Sequence, residues 1–467
     1  MSQNQNNSRC VFVIFATALV TLILLSLLPW GDFTGHVLKD FNLFGDLLPR
    51  SDKSFITHEE IDPELLALAS ESDAEVPDST LLPSGEAANE VVADLPWGDF
   101  TPPMRDGSVL IEDYSPDGSG LASLRQALAN STSSPVRIAF VGDSYIEGDI
   151  LTQDIRAMLQ ETYGGHGVGY MPVFSPIPGF RRSVRQSGSG WEAKEIRDMG
   201  SNDYRTLQGI YFTSDGNGKA TFKGTKSPAG CDSWDCSTVA FIAPESGTMT
   251  LATDAENDVR EIQASDDVQT LRIQGHTTSF SLESDIAGLV VLGVYLDGAS
   301  GVILDNMSLR GNSGISHRNL NPTVTRALRD VADYRLIILE FGINALTSRQ
   351  TDYTAYSNAM KRAIATIRAN YPGAQILMLG IGDRGQKQGT EVGSIATAPA
   401  MVAAQRNAAR SAGVMFWDTR AAMGGDGSVV DWHKRGLVNS DYIHLNHKGG
   451  KELAGIFVNS LKLSINE

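Results

Sequence analysis

Ser144 lies in the stretch Val141–Asp149, "VGDSYIEGD", directly after the apolar run "VRIAF". A serine in that place has two uses. Its oxygen can accept from the first amides of a following helix, or it can act as a nucleophile if a base takes its proton. The base must come from elsewhere in the chain, and eight histidines are available. His444, in "SDYIHLNHKGG", has Asp441 three residues upstream. On a loop that spacing turns the carboxylate toward Nδ1 and leaves Nε2 aimed at a serine, the relay a hydroxyl nucleophile needs. His447, and the pair Asp431 and His433 in "DWH", are alternatives, but neither joins this spacing to a place before a terminal helix. His444 and His447 together are thin evidence for a metal, which needs a further ligand cluster. The expected chemistry uses no metal and no organic cofactor.

Such residues need elements that hold them. From about residue 120 a helical run "LASLRQALAN" leads into strand "VRIAFVG" and then a helix carrying Leu151, Ile155, Met158, Leu159 and Tyr163 on one face. Between about 183 and 305 the pattern becomes short runs rich in β-branched and aromatic residues, broken by Gly, Asp, Asn and Ser. This reads as an antiparallel sandwich or jelly roll inserted into an α/β domain. Helices then alternate with the strands "YRLIILEFG", "AQILMLGIG" and "VMFWDT" up to a closing helix "KGGKELAGIFVNSLKL". That alternation predicts a parallel sheet covered on both faces, with its chemistry at the carboxyl ends of the strands.

"FVGDSYIEGD" resembles the first block of the SGNH, or GDSL, hydrolase superfamily, and "SDYIHLNHKGG" resembles its last. "LRGNSG" and "LEFGINA" are similar to the two blocks between, in the family's order. The resemblance implies a flavodoxin-like three-layer fold with Ser144 as nucleophile, His444 as general base and then acid, and Asp441 as its orienting partner. It also implies an oxyanion hole of the Ser144 amide, the Gly311 amide and the Asn344 side chain, with Gly314 close by as a rival glycine. Ala345 departs from the pattern, since many members carry an acidic residue there. Asp143 is expected to fix the turn, and Asp143, Tyr145 and Glu147 are candidate groove residues. A β-domain between the serine and glycine blocks is similar to the arrangement in bacterial peptidoglycan and polysaccharide O-acetylesterases. Trp191, Tyr211 and Trp234 of the insert are candidates for stacking on sugars.

The formal net charge of −17 argues against nucleic acid as a partner, because phosphate binding depends on Lys and Arg. Residues 51–94 hold twelve Asp or Glu against Lys53 alone, eleven of the seventeen excess negatives. With little apolar periodicity, residues 35–105 read as a disordered tether. Cys10 to Trp30 carries no charge over a length that crosses a bilayer, so residues 1–34 read as a cytoplasmic stub and uncleaved anchor. The rest, 106–182 and 306–467 around the 183–305 insert, is then expected outside the inner membrane, in the periplasm. "LPWGDFT" occurs twice, at 28–34 and 95–101, and reads as a duplication or a docking motif. Cys231 and Cys236 read as a pair in an oxidising compartment or, alternatively, as two free thiols in a loop.

Three functions remain open at this stage: an esterase acting on an acylated envelope glycan, an O-acetyltransferase fed by a membrane acyl-transfer partner, and an idle glycan-binding scaffold.

Overall fold

The computed structural model describes residues 100–466. The expected membrane anchor, the first "LPWGDFT" copy and nearly all of the tether lie outside these residues. Among the described residues no helix is long and apolar enough to cross a membrane. Of the second copy, Phe100 lies under the Arg406 guanidinium, 4.2 Å from the ring centre.

A six-stranded sheet organises the α/β domain: β1 (Glu112–Asp113), β2 (Val136–Gly142), β3 (Val302–Ser308), β4 (Leu336–Glu340), β5 (Gln375–Leu379) and β6 (Met415–Trp417). The spatial order is β3-β2-β4-β5-β6-β1, parallel except for β1 at the edge. Counted from β2 this is the order 2-1-3-4-5 of flavodoxin-like sheets, and the strand order reverses at β2. All seven residues of β2 are buried, as a central strand covered on both faces requires. Helices α1 (Ser119–Ala129), α2 (Thr152–Tyr163) and α5 (His447–Ile465) pack one face through Leu124, Ile155, Leu453 and Phe457. Helices α3 (Thr354–Asn370) and α4 (Ala398–Ala412) pack the other through Met360, Ile364 and Met401.

The insert is one continuous antiparallel sheet of nine strands. Its long strands change partners midway. Ile210–Gly224 pairs with Ala287–Asp297 along its first half and with Ser279–Ser284 along its second. Ala287–Asp297 in turn passes from Ile210–Gly224 to Gly167–Met171. Register shifts mark these strands, which is how one sheet bends over into two packed faces. Phe222, Phe280, Leu251, Val239, Phe241 and Val291 meet in its core. The sheet already includes Gly167–Met171, whereas Val302–Ser308 is β3 of the parallel sheet, so the insert runs earlier at both ends than its composition predicts.

Buried charge joins the two domains. Arg137 of β2 donates to Asp305 of β3 (2.8 and 3.0 Å) and to Asp297 of the insert (2.7 and 3.2 Å). Asp305, wholly buried, also accepts from the Tyr170 amide and the Tyr334 hydroxyl, 2.8 Å each. At the second junction Asp149 accepts from Arg156 (2.7 and 2.9 Å) and from Ser183 (2.6 Å). Burial alone would raise the Asp149 carboxyl, but Arg156, Arg181 and Ser183 hold it below the ordinary range.

Cys231 and Cys236 are free thiols, which corrects the expected disulfide. Cys231 is buried in the insert's core, where burial pushes its thiol up to about 11, while Cys236 Sγ lies 3.6 Å from the Thr238 hydroxyl. The stacking surface also changes. Trp234 and Tyr211 are core residues, so neither ring is open to a sugar, and Trp191 packs partly against the same core.

Removing one partner of a buried ion pair strands the other charge, at about 3–5 kcal/mol. Asp305→Ala is therefore expected to lower unfolding free energy by that amount in urea denaturation. A loss below about 1 kcal/mol, the scale of an exposed pair, would contradict the placement of Arg137.

Candidate active site

The nucleophile loop begins where β2 ends. Gly142 is the last strand residue, and a Cβ there would sit 2.8 Å from both the carbonyl and a side-chain oxygen of Glu340. Asp143 then turns the chain, its Oδ1 accepting the Tyr145 amide at 2.9 Å. This leaves Ser144, half-buried, at the carboxyl end of the central strand.

The histidine arrives on the loop before α5. That loop is closed by a bridge between Val438 and Leu445 and by a 2.9 Å bond from the Asn439 amide to the His444 carbonyl. Asn446 caps α5, accepting from the amides of Lys448 and Gly449. The following glycines have a spatial purpose. A Cβ on Gly449 would lie 2.0 Å from the Leu437 carbonyl oxygen, and one on Gly450 would lie 2.0 Å from that of Ile150. Only glycines let the helix start press against the backbone just beyond the serine loop.

The result is a continuous chain of contacts. Ser144 Oγ lies 2.8 Å from His444 Nε2, and His444 Nδ1 lies 2.8 Å from Asp441 Oδ2. The other Asp441 oxygen accepts the amides of Ile443 (2.9 Å) and His444 (3.0 Å). Burial pushes the Asp441 carboxyl up, but the His444 hydrogen bond and these amides bring it below its ordinary value. An ionised Asp441 is what keeps the proton on Nδ1 and the lone pair on Nε2.

The alternatives have other partners. His433 Nδ1 is 3.1 Å from the Val438 carbonyl, and its ring lies 4.1 Å from that of Tyr442, buttressing the catalytic loop. His447 Nδ1 lies 3.3 Å from the Gln153 amide nitrogen.

The three expected oxyanion donors stand after three successive parallel strands: Ser144 past β2, Gly311 past β3 and Asn344 past β4. The two glycines near 311 differ. A Cβ on Gly314 would sit 2.6 Å from the Phe341 ring, so that glycine answers a packing need, whereas around Gly311 only the Arg197 side chain approaches. Asn344 Nδ2 donates to Asp143 Oδ2 (2.8 Å) and to the Asn312 carbonyl (3.1 Å). These contacts orient the amide where other sequences place an acid after it, and Ala345 is core.

Of the expected groove residues only Glu147 faces a cleft, where it pairs with Arg310. Asp143 and Tyr145 are buried and absent from its walls, which corrects their assignment as groove lining. The cleft, about 270 Å³, lies between the domains and takes Glu147 and Arg310 from one and Tyr170 and Gln186 from the other. Phe180, partly exposed, stands at its edge against Gly148, where a Cβ would be 2.5 Å from the ring.

Glu340 escaped the sequence reading. The signal is a lone acid ending the apolar strand "LIILE". It is buried next to Asp143, and its Oε2 has no hydrogen-bond partner among the described residues. Burial, then the neighbouring Asp143, raises the Glu340 carboxyl. Burial lifts Asp143 to about 7, against the Tyr145 amide, His444 and Asn344.

Comparison with known proteins agrees with the fold. Residues 292–451 match the family model described as the GDSL-like Lipase/Acylhydrolase family, a span that includes Gly311, Asn344, Asp441 and His444 but not Ser144. No curated protein matches the chain. The structure is similar to that of a peptidoglycan O-acetylesterase, with 22% identity over 76% of this chain and 99% of that one, at a TM-score of 0.63. It is far less similar to a family two carbohydrate esterase from Cellvibrio japonicus, with 11% identity over 61% of this chain and 99% of that one, at a TM-score of 0.26.

The acid pair has a pH signature. Both carboxyls are raised in the folded state, so the contribution of each is full below its unfolded value near pH 4; that of Asp143 is lost as pH rises through about 7, and that of Glu340 also falls with rising pH. Glu340→Gln is thus expected to gain stability relative to the parent as pH rises from about 4 to 8. Denaturant midpoints at several pH values check this, and a difference independent of pH would contradict it.

Proposed function

We propose that the chain is a GDSL-type acylhydrolase of the SGNH fold, a serine esterase removing O-acetyl or other small acyl groups from a cell-envelope glycan. The observation that carries the mechanism is the Ser144–His444–Asp441 contact chain, with both hydrogen-bond distances at 2.8 Å. Ser144 Oγ attacks the ester carbonyl while His444 Nε2 takes its proton. The negative oxygen of the tetrahedral intermediate is met by the amides of Ser144 and Gly311 and by Asn344, which exchanges the Asn312 carbonyl for it. The intermediate collapses, the ester C–O bond breaks and His444 returns the proton to the departing sugar oxygen. Water, deprotonated by the same Nε2, then splits the acyl-serine and releases the carboxylic acid and free Ser144.

The glycan reading rests on the cleft between the domains. Its polar pair Glu147–Arg310 and its edge Phe180 offer hydrogen bonds and a stacking face beside the nucleophile loop. The solved relative's substrate, peptidoglycan, is consistent with this. The uncharged run Cys10–Trp30 supports a membrane-anchored enzyme with its catalytic region in the periplasm. It also favours the second reading, in which a membrane partner supplies the acyl group and a sugar hydroxyl takes it from Ser144. An idle scaffold has no physical need for three side chains held in catalytic register.

Ser144→Ala is expected to lose at least about 10⁴-fold in kcat on p-nitrophenyl acetate, and Asn344→Ala about 10²- to 10³-fold. Retained hydrolysis in Ser144→Ala would remove the assignment. Incubation with O-acetylated peptidoglycan should release acetate, while labelled acetyl appearing on added glycan would instead support the transferase.

Phe180→Ala should raise KM for the polymeric substrate several-fold and leave p-nitrophenyl acetate turnover unchanged, as expected if the ring stacks on sugar. Equal effects on both substrates would place Phe180 outside glycan recognition.

A further inference from the structure

Away from Ser144, the side chains of His166, Asp235 and His276 converge at the place where the chain passes into and out of the insert. Each offers one ligand atom, and the three atoms all lie within 4.8 Å of one another. They come from three separate elements. His166 lies in the link between α2 and strand Gly167–Met171, Asp235 near the start of Trp234–Ala243, and His276 near the end of Ser265–Thr277. Asp235 Oδ2 is 2.9 Å from His166 Nε2, and Asp235 Oδ1 is 3.0 Å from His276 Nδ1. Both oxygens of one carboxylate thus each face an imidazole nitrogen.

The two contacts differ. His276 Nδ1 and Asp235 form an ordinary hydrogen bond. His166 Nε2, by contrast, is sealed from water and makes no hydrogen bond of acceptable angle among the described residues, although the carboxylate oxygen is 2.9 Å away. A buried ring nitrogen that faces an anion without a well-directed N–H bond is costly for a pure hydrogen-bond cluster. It suits two ligands turned toward a common centre. The carboxylate is itself held, since Oδ2 accepts the Ala299 amide at 2.9 Å, the outer-shell bond a ligating carboxylate needs.

We propose that His166, Asp235 and His276 bind one first-row divalent cation, Zn²⁺ foremost, with water completing its shell. Two imidazoles and one carboxylate suit Zn²⁺, whereas Ca²⁺ and Mg²⁺ take mostly oxygen ligands. With bonds of about 2.0–2.2 Å, tetrahedral ligand atoms stand about 3.3–3.6 Å apart. The 2.9 and 3.0 Å gaps run to different oxygens of Asp235 and the ligand atoms all lie within 4.8 Å of one another, so that spacing is reached by side-chain shifts of up to about 1.2 Å. His276 is the entry side, its side chain being 65% exposed.

The position indicates what the cation does. The His166 carbonyl accepts the Gly298 amide at 3.1 Å, and the Ala299 amide binds Asp235, so entry and exit of the insert already meet at this cluster. A bound cation clips that junction to two further strands. The site is structural and separate from the esterase reaction.

The test uses the whole protein, stripped with EDTA, desalted and titrated with ZnCl₂ by calorimetry, with elemental analysis after a second desalting. One Zn²⁺ per chain is expected, with a dissociation constant on the order of micromolar or below, and a thermal midpoint raised by saturating Zn²⁺ but not by CaCl₂. His276→Ala changes an exposed side chain and should keep the circular dichroism spectrum while weakening Zn²⁺ at least tenfold and abolishing the thermal shift. Asp235→Asn should do the same. Absence of stoichiometric binding, an equal response to Ca²⁺, or unchanged Zn²⁺ affinity in both variants would overturn the proposal, the last by placing the metal on other histidines.

Discussion

The constraint behind most of this structure is a guanidinium placed inside a central β-strand. Arg137 belongs to β2, the strand that ends at the Ser144 loop, and its side chain is almost wholly buried. Burying a lone cation is prohibitive, so the fold supplies two carboxylates, Asp305 from β3 and Asp297 from the insert. The insert is therefore held to the parallel sheet by a charge that the sheet itself has to neutralise. With Asp149, Arg156 and Ser183 doing the same at the other junction, a β-domain spliced between the first two strands of the sheet order is joined to it by buried charge as well as by its covalent links. The cleft that Glu147 and Gly148 line at the far end of the serine loop has residues of both parts as its walls.

A second constraint is closeness. Ser144 and His444 lie three hundred positions apart in the chain, and their meeting depends on α5 starting hard against Ile150 and Leu437. Gly449 and Gly450 permit that approach, Asn446 fixes where the helix begins, and the Val438–Leu445 bridge sets the loop between. The histidine is thus positioned by backbone contacts on either side of it. His433, a rival base by sequence, braces this loop from below through the Tyr442 ring.

Polar groups under the site are less simply satisfied. Asp143 orients Asn344, yet it is itself buried beside Glu340, a second acid with an oxygen unpartnered among the described residues. Two carboxyls in one apolar pocket favour keeping protons at neutral pH. The Asn344 side chain thus rests on groups whose charge state is set by burial.

Taken alone, the sequence determined the alternation of helices and strands, the parallel sheet, and the roles open to Ser144, Asp441 and His444. Those follow from periodicity and from residue types whose chemistry is local. It also located the insert, but not its edges, because Gly167–Met171 is too short and glycine-rich to declare which sheet it will join. Only the tertiary structure decided which residues are covered. Tyr145 and Trp234 are amphipathic rings that look fit for a groove, and packing made both core. Cys231 and Cys236 are close in sequence, yet one thiol went into the core and the other toward Thr238. The convergence of His166, Asp235 and His276 was likewise invisible, since they sit far apart in the chain and meet only where strands of the folded insert return to its entry point. Spacing along a chain determines what neighbours on one loop can do, but burial and long-range contact are properties of the packed whole.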